Sequence, residues 1–450
     1  MIAKTLKVLE GTDALTKGDL ENVTVTDDRI ILDSVAGRHV LYGCYTSVPL
    51  SMPQFDALVM SWNADTPEGT AVEAQARVMV DGNWSVWVDF GRWSPYIKRS
   101  SGYFAQGPLV MDRDILYLDS KTADQVQLRI YLYTDNEVQT PSVRLLSASV
   151  RRVQTKPEKA PKLGNRQLRI PSYSQLLRAP SLSDTMDLAC CLTGMMNRYG
   201  EDVLPEELGL AMYDWEGHTC ANRAFAAAVA GCWGYYSHLA FMELSQLWEE
   251  IRSGYAAAVE INYTADPDQA GPGLPWLAES MCDAQRHWVV VTGFTEIDQT
   301  VHLLVNDSLC PTDAQCARIW PLDDFMEAWT GLGLVLHKKD RRYGLDKPQR
   351  QTVQIQPNPE SELPDNYILT LGGKPYLLPQ DFCGTPQEPT GVLAVTYTDG
   401  IARATTAHKA FRFVPIVDGG LFLAKGEKKT KKTVYALNFT GSMMVGDILV

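Results

Sequence analysis

The chain has 450 residues, 45% of them hydrophobic and 21% charged, and carries a formal net charge of −13. At about 150 residues per domain, this length calls for two or three packed units rather than one core. No apolar run approaches the ~20 residues of a bilayer span, and a surplus of carboxylates repels phosphate backbones, so neither membrane insertion nor nucleic-acid binding is expected.

Residues 1–20 alternate charged and apolar side chains (Lys4, Lys7, Glu10, Asp13, Lys17) and lack the apolar core and small-residue cleavage site of a secretory signal. The expectation is a cytoplasmic protein, with export through a missing or non-standard signal as the alternative. Residues 1–155 then show period-two alternation at Val72, Ala74, Ala76, Val78 and Val80, and again at Val126, Leu128, Ile130 and Leu132. Turn signals such as Asp81-Gly82-Asn83 separate these runs, which predicts a β-sandwich. Residues 156–166, polar and Pro-punctuated, suit a linker.

Residues 167–342 begin with helical spacing. Leu188, Cys191, Leu192, Met195, Met196 and Tyr199 fall on one stripe, with Gly200 as the stop, predicting a helix from near Thr185. Pro205-Glu206-Glu207 fits a helix first turn, Thr219 can cap the Ala-rich run 221–230, and 244–251 has the pattern of a third helix. Strands follow at 256–261, 287–294 and 302–306, an α+β order. Residues 161–340 carry 11 Lys and Arg against 24 Asp and Glu, and seven of the nine cysteines. The cysteine number is odd, Cys190 and Cys191 are adjacent, and C-x-x-C spacing is missing, which favours free thiols over a disulfide framework or metal cluster. No metal or other cofactor is expected.

From about residue 347 the chain returns to short β runs (367–371, 392–397, 411–417, 421–424) with Gly-rich turns, a small third domain. The lysines at 425, 428, 429, 431 and 432 suit a solvated hairpin tip.

The chemistry-bearing residues lie in the middle segment. His287 opens one apolar strand and Asp307 closes the next. If the two pair as a hairpin turning between Ile297 and Gln299, position 287 lies opposite roughly 307–311, which brings Asp307 beside the imidazole. A histidine oriented by a carboxylate is half of a nucleophile-activating arrangement. The competing reading is that His287 merely begins a strand and Asp307 opens a turn at 308–311.

Residues 169–336 resemble a papain-like cysteine peptidase of family 39, the bacteriocin-processing or double-glycine-leader type. The resemblance rests on Ile170-Pro171-Ser172-Tyr173-Ser174-Gln175, the helix ending in Tyr199-Gly200, Gly217 with Asn222 and Ala224, Leu247 to Gly254, His287 to Phe294, and Val305-Asn306-Asp307. The first domain, through Ser61 to Thr70, Trp84-Ser85-Val86-Trp87 and Gly91-Arg92-Trp93, is similar to the β domain that precedes the peptidase domain in some bacterial members. The resemblance implies a papain-like α+β central domain, which with the β patterns on either side gives an expected fold of that domain flanked by an N-terminal β-sandwich and a small C-terminal β domain. It also implies Gln175 as oxyanion donor, His287 as general base and Asp307 as its orienter.

The family nucleophile, a cysteine about thirteen residues before the helix-ending glycine, falls on Asp187. A carboxylate there is a far weaker nucleophile toward an amide than a thiolate. The leading expectation is therefore a degenerate or altered peptidase that binds a peptide or protein ligand in the family cleft. An active thiol enzyme using Cys190 or Cys191 is the rival, although both sit ~4.5–6 Å further along the helix axis and on its apolar stripe. A third expectation, glycan or cell-wall binding, comes from Trp62, Trp84, Trp87 and Trp93, whose alternative role is sandwich core. The loop with Asp266-Pro267-Asp268 and Gly271-Pro272-Gly273 is a candidate lid or a solvated loop.

Overall fold

The computed structural model describes residues 4–153 and 161–338, apart from positions 102, 179 and 202, together with a set of strands between residues 353 and 445. The first 150 residues build an antiparallel network of 14 strands. The 16-residue strand Leu50–Asp65 ties this network together by changing partner along its length. Leu50, Ser51 and Phe55 pair with Ala123–Thr134, whereas residues 55–65 pair with Ser142–Arg152. Pro53 lies where the strand changes partner, and lacking an N–H it can leave the ladder there without orphaning a donor.

In the central segment helices precede most of the sheet. Asp187–Arg198 forms the first long helix, starting two residues after the expected Thr185, and Pro205–Met212 and Arg223–Cys232 follow. The cap of the Arg223–Cys232 helix is Asn222, whose side chain accepts from the Phe225 amide at 2.9 Å. Thr219 is instead held in a bridge with Asp214, three residues too early to cap. Leu244–Ser253 ends at Gly254, which takes the left-handed conformation (φ 91°) that glycine adopts without a Cβ penalty.

A seven-stranded sheet carries the rest, in the order Tyr235–Phe241, Trp329–Lys338, Ala257–Tyr263, Ala284–Ile297, Thr300–Asp307, Ala317–Pro321, with Arg166–Gln167 pairing beside Ala284–Ile297. The helix Asp187–Arg198 packs on Ala284–Ile297 and Ala257–Tyr263. The α+β order expected for this segment is present in part, because the strand Tyr235–Phe241 precedes the helix Leu244–Ser253 and the helix Leu322–Ala328 lies between strands, within a chain that is β-rich as a whole. Among the described residues, no helix is long and apolar enough to cross a membrane.

The two sheets share one continuous core. Every residue of the Arg223–Cys232 helix is buried, because the Leu50–Asp65 strand covers the face that the second sheet leaves open. Close approach needs small side chains there: a Cβ on Gly231 would stand 2.8 Å from the Asn63 Cα. Trp62 meets Phe225 edge to face, with centroids 6.4 Å apart.

Tyr235–Phe241 is the edge of the second sheet, and side chains of the first satisfy its outward amides. Asn63 Oδ1, Ser61 Oγ and Ser149 Oγ accept from the N–H groups of Ser237, Leu239 and Phe241 at 3.1, 2.9 and 2.9 Å. The Asn63 amide also donates to the Ser237 carbonyl at 2.8 Å. The guanidinium of Arg223 bridges the units as well, 2.8 Å from Asp114 and paired with Glu260, all three buried.

The C-terminal strands include Tyr367–Leu371, Leu393–Thr398, Phe411–Pro415 and Leu421–Lys425. The Gly-rich turns expected between them, the lysines at 428–432 and residues 156–160 of the expected linker lie outside the described residues.

Candidate functional site

The Ala284–Ile297 strand enters the site through an irregularity. Ile261 pairs with His287 but Tyr263 pairs with Ala284, so one extra residue bulges at 285–286. Arg286 there takes φ 54°, a left-handed conformation rare for a residue with a Cβ, with its amide held by Asn262 Oδ1 at 2.7 Å. The partner strand turns at Asp298 and Gln299, and Val289 pairs with Asp307. Continuing that register puts 309 opposite 287, inside the expected window.

His287 Nε2 donates to Asp307 Oδ1 at 2.8 Å and Nδ1 to Asp187 Oδ2 at 3.2 Å. Each ring nitrogen thus faces a carboxyl oxygen, an arrangement that suits the doubly protonated imidazolium. Burial alone would discharge it, but the fields of Asp307 and Asp187 and their hydrogen bonds prevail, and its pKa is pushed up to about 10. For Asp307, burial favours the neutral acid. The His287 charge outweighs that, with hydrogen bonds from His287, the Leu309 amide and the Tyr263 hydroxyl, and holds the carboxyl below its usual value. Asp187, the first residue of its helix, accepts from the Trp288 amide at 2.9 Å through Oδ2 and from its own neighbour Leu188 at 2.8 Å through Oδ1. The ring, 5% exposed, is nearly sealed from solvent.

Gln175 is placed beside this trio without touching its carboxylates. Its Nε2 donates to the Ser183 carbonyl at 2.9 Å, and its Oε1 accepts from Ser308 Oγ at 2.7 Å. One of the two N–H groups of the amide expected to serve an oxyanion is thus engaged by backbone next to the helix start.

Neither candidate thiol reaches the imidazole, whose two nitrogens are taken. Cys191 Sγ donates to the Trp288 carbonyl at 3.3 Å, and Cys190 lies in the field of the buried Arg178–Glu206 pair. Burial pushes both thiols well above their usual value. Cys282, at the end of the loop before His287, is the exposed cysteine among those described. Burial and then the carboxylates of Asp307, Asp283 and Asp184 raise it, so the loop end lies close to the Asp307 side.

Residues 6–150 match the family model described as Peptidase C39 N-terminal domain. The match falls on the domain whose tryptophan-rich segments suggested the resemblance. No curated protein matches the chain. Among solved structures, the peptidase domain of Streptococcus ComA, a bi-functional ABC transporter involved in a quorum sensing pathway, is 15% identical. It covers 36% of this chain and 98% of its own, with a TM-score of 0.26. A Paenibacillus sp. cycloisomaltooligosaccharide glucanotransferase complexed with cycloisomaltoheptaose is 11% identical over 97% of this chain and 45% of its own, with a TM-score of 0.15.

Two contributors escaped the sequence reading. Tyr263 donates its hydroxyl to Asp307 Oδ2 at 3.1 Å and stands edge-on to the His287 ring. The signal that marked His287, a polar group at the end of an apolar strand, would have marked Tyr263 too. The Trp288 amide could not have been found, since a backbone donor leaves no mark in side-chain pattern.

The tryptophans of the first domain are largely spoken for. Trp62 and Trp93 are fully buried, while Trp87 has the Arg129 guanidinium 3.8 Å and that of Arg77 4.6 Å from its ring centroid. The candidate lid is organised rather than loose: Asp266 Oδ1 caps a short 3-10 turn, Pro267–Gln269, by accepting from the Asp268 amide at 3.0 Å. A cavity of 590 Å³ lies elsewhere, lined by Arg169, Ile170, Arg198, Asn306 and Arg318. Strand alternation sends Asn306 there and Asp307 to the imidazole.

Proposed function

We propose that this protein is a relative of the C39 peptidases that has lost thiol-dependent hydrolysis and whose papain-like central domain holds a peptide or protein ligand. One observation carries the reading: both nitrogens of His287 are engaged by carboxylates. Peptide hydrolysis of the cysteine type needs an imidazole that exchanges a proton with a thiol and then with the leaving amine. Here the carboxylate of Asp187 stands where a thiolate would complete the ion pair. It preserves the charge pattern at the helix N-terminus and contributes almost no nucleophilicity toward an amide. A ring that loses its proton only near pH 10 is no base at neutral pH. The engaged Gln175 amide points the same way.

The thiol-enzyme reading has less support, since Cys190 and Cys191 are buried and raised and both ring nitrogens of His287 are taken by carboxylates. Glycan binding by the first domain has less support for the reason given by its tryptophans.

The test is labelling with an electrophilic peptide inhibitor of the cysteine-peptidase type, read by mass spectrometry. The wild type should remain unmodified at Cys190 and Cys191, while Asp187→Cys should be labelled at position 187 in a His287-dependent manner. Stoichiometric, His287-dependent modification of wild-type Cys190 or Cys191 would overturn the reading. For the ligand, photo-crosslinking of a peptide ending in double glycine should join it to the segments around 175–187 or 287–309, and crosslinks confined to other segments would count against this cleft.

A further inference from the structure

The geometry points to Cys310 and Cys316 as a dithiol that closes reversibly to an intrachain disulfide. Their sulfurs lie 3.2 Å apart, and both thiols are directed at the same acceptor, the Thr312 carbonyl, at 3.3 and 3.8 Å. The bonded S–S length is about 2.05 Å, so closure asks for roughly 1 Å of approach within a loop that already brings the partners together. The turn is built by Pro311 and the short 3-10 stretch Asp313–Gln315. Contact with Cys316 lowers the Cys310 thiol and raises its partner, which makes Cys310 the attacking sulfur.

A peroxide is the oxidant that fits, because both sulfurs are buried and a small molecule is needed to reach them. The Cys310 thiolate attacks one peroxide oxygen, the O–O bond breaks, and water leaves once the second oxygen takes protons, giving a sulfenic acid. Cys316 sulfur then attacks that sulfur, the S–O bond breaks, and a second water leaves with the Cys316 proton. Two thiols lose two electrons and the peroxide gains them. A dithiol reductant reverses the step by exchange.

The loop is joined to the site described above. Cys316 O accepts from the Asp307 amide at 2.8 Å, Cys310 O accepts from Ser174 Oγ, and Asp313 Oδ1 accepts from the Ser174 amide at 2.7 Å. A bond between 310 and 316 would therefore fix the wall that carries Asp307 and the Ser174-Gln175 segment.

Trypsin places both cysteines in one peptide, residues 287–318, with no other cysteine in it. The full-length protein is treated with increasing hydrogen peroxide until Cys282 is oxidised, then denatured in an alkylating agent, digested and weighed. The expected result is a 287–318 peptide that takes no alkyl group and is about 2 Da lighter than its fully reduced form, restored to two alkylated cysteines by dithiothreitol. Cys310→Ser should leave Cys316 alkylated under the same treatment. Two alkylated cysteines, or oxygen adducts on either, at the peroxide level that oxidises Cys282 would overturn the proposal.

Discussion

Asp187 and Asp307 face each other across one imidazole, the first from the start of a helix and the second from the end of a strand, at 3.2 and 2.8 Å from opposite nitrogens of His287. The ring is therefore the bridge between two buried carboxyl groups.

A pH dependence follows. His287 is raised from 6.5 to about 10, so its contribution to stability is complete below pH 6.5 and is lost as pH rises through 10. Between those values the folded state holds about one more proton than the unfolded, and unfolding free energy should fall by about 1.4 kcal/mol per pH unit. Asp307 is lowered, so its contribution is present above its ordinary value of 3.8 and fades only in stronger acid. Urea denaturation from pH 6 to 10 checks this, and a flat profile would contradict the imidazolium.

Replacing the bridge should be costly at neutral pH. His287→Asn leaves Asp187 and Asp307 without a cation between them, and removing one partner of a buried ion group typically costs about 3–5 kcal/mol. The variant should also lose the alkaline slope. Equal destabilisation at pH 7 and pH 10 would show that the cost comes from packing alone.

Thiol accessibility gives a third outcome. Iodoacetamide under native conditions should modify Cys282 and leave Cys190 and Cys191 untouched until the protein unfolds, because burial withholds both the sulfur and its thiolate. Peptide mapping over time reads this directly, and early alkylation of Cys191 would mean that its bond to the Trp288 carbonyl opens readily.

The sequence disclosed what local periodicity and a tight turn can fix. The His287–Asp307 register followed from strand length and turn position, within a short stretch of regular geometry, whereas Asp187 came only from the spacing before Gly200 that the family resemblance implies. Thr219 and Asn222 are both N-cap residue types, so only the position of the first helical residue decides that Asn222 is the cap. The outer strands Tyr235–Phe241 and Trp329–Lys338 escaped notice, since neither alternates cleanly: one is buried by a separate sheet, and the other is interrupted by Gly331 and Gly333. The engagement of Gln175 by Ser183 and Ser308 depends on chain segments brought together only by folding.

The junction between the sheets supplies a fourth outcome. Asn63→Ala removes the acceptor of the Ser237 amide and the donor to its carbonyl, leaving two buried backbone groups unpaired at about 1–3 kcal/mol each. Asn63→Asp keeps the acceptor alone and should recover part of the loss only if the carboxylate is tolerated there. A urea midpoint unchanged in Asn63→Ala would mean that water replaces the lost bonds.

Those same bonds make the amides of Ser237, Leu239 and Phe241 reporters of a unit to which they do not belong. Their hydrogens are covered by Asn63, Ser61 and Ser149 rather than by a neighbouring strand, so exchange with deuterium at these positions tracks opening of the first sheet, while amides in the middle of the second sheet exchange on their own schedule. Comparing the two sets of rates would measure how far one half of the molecule can loosen before the other notices.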